Sequence, residues 1–211
     1  MDNSNMKKIQ NRGSNFSRNN NQSRMNKHSS GSKALIKEES ELDDLLDQVK
    51  EPLLLILDCV QDPHNLGACL RSANSAGVDA VIIPKDKAAP VTDTAIAVSC
   101  GGASHTPIFR VTNLVRVIEL LKKRGIWVAG TSDHQGNQNL YETDLTEPLA
   151  LVMGSEEKGM RRLTLEKCDF LLSIPMAGFV ECLNVSVATG VCLFEIVRQR
   201  KAKQARSEHN G

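Results

Sequence analysis

Aromatic side chains make up only 3% of the 211 residues, and nothing in the chain is apolar for long. The longest uninterrupted apolar run, Leu53 to Leu57, falls far short of the ~20 residues a bilayer span needs, and the first residues carry no signal-like apolar stretch. A soluble, cytoplasmic protein is expected. The six cysteines (Cys59, Cys69, Cys100, Cys168, Cys182, Cys192) include no CxxC pair and mostly sit in apolar segments, so they read as reduced, largely buried thiols. His64 and His105 have no partners at metal-ligand spacing, so no metal is implied. No GxGxxG follows a first strand, which argues against a nucleotide-cofactor dehydrogenase.

Charge is present but unevenly placed. Residues 1 to 33 hold seven Lys/Arg against the single acid Asp2, although the whole chain is only +1. A second basic stretch, Arg198, Arg200, Lys201, Lys203 and Arg206, closes the chain. Basic ends around an acidic middle suit arms that hold a polyanion, with plain solubility as the alternative.

The organisation follows from periodicity. Residues 1 to 33, rich in Asn, Ser, Lys and Arg, cannot bury enough apolar surface to offset ordering and read as a disordered basic tail. Residues 34 to 50 read as a lead-in helix ending before Pro52, residues 51 to 201 as one domain, and 202 to 211 as a basic C-terminal tail. Within the domain, buried strands at 53 to 58, 80 to 84, 126 to 130, 150 to 154 and 170 to 175 alternate with helices at 66 to 77, 91 to 99, 112 to 124, 161 to 168 and 184 to 201. A short strand is expected at Thr106 to Val111. This order predicts an α/β fold with a mainly parallel sheet, helices on both faces, and ligands at the carboxyl ends of strands.

Three loops leaving such ends carry polar or glycine-rich sequence. In DCVQDPHNLGACLR, Asn65 is placed to cap the helix that follows, and Arg71 is long enough to lean back toward its anion-attracting start. In LVMGSEEKGM, Gly154 and Gly159 bracket four polar residues and let backbone amides approach a ligand. In IPMAGFVECLNVSVATG, a small-residue loop runs into a helix whose first turn holds Asn184 and Ser186.

NLGACLR, MGSEEKGM and IPMAGFVECLNVSVATGVCLFE resemble, in order and spacing, the three signature motifs of the SpoU (TrmH) family of RNA ribose 2′-O-methyltransferases. The likeness covers about residues 43 to 200, and VSCGGASHTPIFRVTNL and LFEIVRQR are most similar to the RlmB branch, which modifies a guanosine in large-subunit rRNA. The resemblance implies a C-terminal deep trefoil knot, an S-adenosyl-L-methionine cofactor, an RNA substrate (rRNA first, tRNA second) and a homodimer. It implies that Gly154, Ile174 and Leu183 contact the cofactor, with Met176 and the Gly130–Thr131 turn lining the same pocket, and that Asn65, Arg71, Glu156 and Asn184 are the catalytic positions.

The chain departs from the family pattern at Cys182 (usually Ser), Glu157 (usually Gly) and Cys59 (usually Gly), and the branch's usual N-terminal RNA-binding domain is replaced by the basic tail. These departures support a rival reading, a catalytically weak RNA-binding assembly factor. A guanidinium hardly ever loses its proton, so Arg71 is assigned to phosphate binding and alkoxide stabilisation, with that phosphate or a water accepting the proton. The aromatics read mostly as core, and Phe179 either stacks on a base or packs.

Overall fold

The structure is a computed structural model, and it describes residues 33–132, 137–155 and 159–209. Its centre is one eight-stranded sheet, parallel at every pairing, in the order β1-β4-β3-β2-β7-β5-β8-β6. The strands are β1 (Ile36–Lys37), β2 (Leu53–Leu57), β3 (Ala80–Pro84), β4 (Ile108–Val111), β5 (Trp127–Thr131), β6 (Gln138–Asn139), β7 (Leu149–Met153) and β8 (Phe170–Ser173). The helices are α1 (Leu42–Gln48), α2 (Pro63–Ser75), α3 (Asp93–Val98), α4 (Gly102–His105), α5 (Leu114–Lys123), α6 (Arg162–Lys167) and α7 (Val185–His209).

Both faces of the sheet are covered, which is why β2, β3 and β7 are apolar at every position rather than alternating. Leu53, Leu55, Leu57, Val81, Ile83, Leu149 and Leu151 pack under α2, α3, α4 and α7. Leu54, Ile56, Ala80, Ile82, Ala150 and Val152 pack on the other side with residues of α1 and α5. The small residues of α2 are there for contact: a Cβ on Gly67 would stand 2.6 Å from the Ala95 carbonyl oxygen.

Several expectations are corrected. The lead-in is not one helix; Ile36 and Lys37 add a strand beside β4, and only Leu42–Gln48 is α-helical. Residues 202 to 209 continue α7 instead of forming a tail. Asn65 does not cap α2, because Asp62 does so by accepting the His64 N–H, with Pro63 at the first helical position. Among described aromatics only Phe109 is fully buried, while Trp127, Tyr141, Phe179 and Phe194 are exposed, since Leu, Ile, Val and Ala supply most of both core layers. Of the cysteines, Cys69 and Cys192 are buried and Cys100 and Cys182 are exposed, all unpaired by disulfide. The basic tail at 1 to 32 lies outside the described residues.

One feature of the topology bears on the knot. β5 and β6 are consecutive in the chain, yet β8, formed thirty residues after β6, pairs with both. The chain therefore returns to fill the place between two strands that precede it in sequence.

Candidate functional site

Strand order gathers the cofactor candidates. β7, β5 and β8 are neighbours, so Gly154 just past β7, Thr131 at the end of β5 and Ile174 just past β8 lie at three adjoining carboxyl ends. Two strand spacings cover about 10 Å. The Thr131 hydroxyl donates to the Val152 carbonyl oxygen at 3.1 Å, tying β5 to β7 at this rim.

Gly154 admits no side chain. A Cβ there would sit 2.3 Å from the Gly159 carbonyl carbon and 2.4 Å from the Met160 nitrogen. The loop beyond it closes on itself, with Ser155 N–H donating to Gly159 O at 3.1 Å and Gly159 N–H to Ser155 O at 2.9 Å. Gly159 has φ +62°, a conformation other residues adopt at a cost. Glu156 and Glu157 fall outside the described residues.

The polar candidates on α2 and α7 also meet. Asn184 Nδ2–H donates to Asn65 Oδ1 at 3.1 Å across 119 positions of sequence, and Asn184 Oδ1 accepts the Ser186 N–H at 3.0 Å at the start of α7. Asn184 thus caps its own helix and orients Asn65. Below them the Cys69 thiol and the Thr189 hydroxyl lie 3.5 Å apart in the buried α2 to α7 seam. Arg71 is exposed on α2 and makes no ion pair among the described residues. In the β8 to α7 loop Leu183 and Ile174 are part-buried, Met176 is exposed, and Phe179 is fully exposed, so Phe179 has no packing role within its own chain.

The comparisons then decide the family. The SpoU rRNA Methylase family matches residues 52–194. A protein from Photorhabdus laumondii called 23S rRNA (guanosine-2′-O-)-methyltransferase RlmB is 60% identical over 165 residues, 78% of this chain and 67% of its own. The Escherichia coli K12 protein of the same name is 58% identical over 163 residues, covering 77% and 67%. The chain belongs to the SpoU rRNA methylase family. It spans about two thirds of the length of these relatives. Among solved structures, the A. aeolicus TrmH/SpoU tRNA modifying enzyme superposes with TM-score 0.68 at 31% identity, covering 80% of this chain and 85% of that one. The SpoU methyltransferase AviRb from Streptomyces viridochromogenes, solved with AdoMet, gives 0.66 at 32% identity over 72% of this chain and 59% of its own.

Against the SpoU pattern, two local features stand out. Cys59, where the family usually has Gly, carries φ +65°, the left-handed region that glycine tolerates and a Cβ does not favour. Its thiol is pushed up first by burial and then by the neighbouring Asp58 carboxylate. The second feature, a buried ion pair, was missed by reading the sequence. Asp58 is 0% exposed and accepts the Arg161 backbone N–H at 2.9 Å and its Nε–H at 2.7 Å, while Asp58 N–H donates to Met153 O at 2.8 Å. Asp58 therefore holds both ends of the Gly154 to Met160 loop, the Met153 end through its main-chain N–H and the Arg161 end through its carboxylate. The signal was available, because an acid closing the apolar run LLLIL needs a buried partner.

Among the described residues no group of His, Cys, Asp and Glu could hold a metal, and no helix is long and apolar enough to cross a membrane. The site fits S-adenosyl-L-methionine on one structural ground: the Gly159–Met160 backbone packs against Gly154 where a side chain would stand, so the loop after β7 is held in one close-packed shape at the rim it shares with Thr131 and Ile174.

Proposed function

We propose that this chain transfers a methyl group from S-adenosyl-L-methionine to the ribose 2′-hydroxyl of a guanosine in 23S rRNA. The observation that carries the reading is the convergence of the three motifs: Gly154, Thr131 and Ile174 on adjoining strand ends, and Asn65 bonded to Asn184 where α2 and α7 begin. Bound there, the cofactor supplies an activated sulfonium methyl.

Gly154, Ile174, Met176, Leu183 and Thr131 hold the donor, chiefly through backbone groups of the loops after β5, β7 and β8. Asn65 and Asn184, oriented by their mutual hydrogen bond, place the ribose. Glu156 acts with them on the strength of the motif alone. Arg71, always charged, grips the target phosphate and stabilises the developing alkoxide, and that phosphate or a water takes the proton. Holding oxygen and methyl in line lowers the barrier by about 7 to 11 kcal/mol at best.

The working unit is a homodimer in the cytoplasm. Val187 and Phe194, seven residues apart on one face of α7, are each half exposed, and Phe179 and Val180 project from the loop before it. Such an apolar face is suited to a second copy. The trefoil knot is part of this reading, supported by the passage of β8 between β5 and β6.

Tritium transfer from labelled donor to purified 23S rRNA and to tRNA tests the reading. Label in 2′-O-methylguanosine of rRNA, lost on Arg71→Ala and reduced on Arg71→Lys, is expected. Label in tRNA only moves the substrate to the second class, and none in either leaves the assembly-factor reading.

A further inference from the structure

Cations cluster where the site described above does not reach. β3 is followed by Lys85, Asp86 and Lys87, all exposed, and Arg110 is the third residue of β4. Phe109 and Val111 point into the core layer shared with α5, so alternation turns Arg110 to the other face. It is half-buried there without an acid. Its guanidinium makes one long hydrogen bond, Nη2–H to the Lys85 carbonyl oxygen at 3.5 Å, and its Nε is buried with no partner among the described residues.

None of the ion pairs among the described residues includes Lys85, Lys87 or Arg110. Acids nearby do not neutralise them. Glu39 feels Lys85, but it is engaged by the Arg116 guanidinium and the Thr112 N–H. Asp86 lies between the two lysines in sequence and makes no ion pair among the described residues.

The cluster is also anchored beside the catalytic loops. Ala89 N–H donates to Val60 O at 2.8 Å, which binds the turn after β3 to the loop after β2 that leads to Asn65. Lys87 adopts φ +59°, and its charge reaches the Cys59 thiol.

We propose that Lys85, Lys87 and Arg110 form a phosphate-binding subsite for the RNA strand, gripping nucleotides next to the one that is methylated. The sheet order puts β4 and β3 on the far side of β2 from the donor loops on β7, β5 and β8, so the contact falls on flanking nucleotides. An arginine fork held at a strand end with two lysines suits phosphate oxygens, and such contacts carry position rather than sequence. The inference rests on RNA being the substrate.

The test compares the full chain with its Lys85→Gln/Lys87→Gln/Arg110→Gln variant on 23S rRNA. Unchanged donor affinity and kcat are expected, with the KM for RNA raised at least about tenfold. The slope of log affinity against log salt should become shallower by about 2, at about 0.7 per single-strand phosphate contact. Arg110→Lys should keep the parent's salt slope, because the charge is retained, while lowering the affinity, because the fork is lost. Should the triple variant unfold, the exposed Lys85→Gln/Lys87→Gln pair is read instead, with a slope change of about 1.4. Variant and parent binding RNA alike, with the same slope, overturns the subsite. Failure of the parent to methylate any RNA sinks the proposed function instead, and filter binding still reads the subsite.

Discussion

Replacing Asp58 by Asn should cost this protein both stability and donor affinity, and the structure sets the size. The carboxylate is fully buried and serves two Arg161 donors, the main-chain N–H and Nε–H. Asn keeps one acceptor oxygen and turns an NH2 toward the second donor, leaving a guanidinium whose Nη2 is already buried and unpartnered among the described residues. Breaking a fully buried pair costs about 3 to 5 kcal/mol. The Arg161 side chain is 34% exposed, so water recovers part of this, and about 2 to 3 kcal/mol is expected. At about 2 to 4 °C per kcal/mol for a domain of this size, thermal unfolding should move down by about 5 to 10 °C. Arg161 directly follows Gly159 and Met160, so a loosened clasp should also weaken uptake of S-adenosyl-L-methionine in calorimetry. A midpoint within a degree of the parent with unchanged donor affinity would refute the claim that this pair holds the loop.

Three further outcomes are expected. Cys59→Gly should stabilise the fold by about 0.5 to 1 kcal/mol in denaturant unfolding, because it relieves a side chain at φ +65°; a loss of stability would count against strain there. Burial raises the Glu39 carboxyl, but the Thr112 N–H and Arg116 outweigh it and hold the group below its usual value. A depressed folded value gives stability that is present above the unfolded one and lost as pH falls through the folded one, so Glu39→Gln should flatten the parent's acid loss below about pH 5. Phe194→Glu should leave a monomer by light scattering, and a persistent dimer would place the interface elsewhere than the exposed face of α7.

Much of the fold was legible because doubly covered parallel strands announce themselves as short apolar runs, and LLLIL, AVIIP and LALVM are all such strands. Two-residue strands such as Ile36–Lys37 and Gln138–Asn139 carry no periodicity, and they exist only because an edge was free to pair. The cap of α2 was misplaced because Asp62 and Asn65 are both good caps, and Pro63 at the first turn favours the earlier one. At the site, the three motifs named the loops but not what braces them. The Asp58 to Arg161 clasp joins residues 103 positions apart, a pairing no local pattern contains. Arg200, read as part of a basic stretch for polyanions, instead donates to the carbonyl oxygens of Glu51, Pro52 and Glu147 and locks α7 to the opposite end of the sheet.

The central claim is that loops after β5, β7 and β8 make one cradle for the methyl donor, and titration calorimetry on the purified chain tests it most directly. Saturable uptake of S-adenosyl-L-methionine is predicted, abolished by Gly154→Ala in a variant that still unfolds cooperatively, because the added Cβ would lie 2.3 Å from the Gly159 backbone. No uptake by the parent, or equal uptake by the alanine variant, would contradict it.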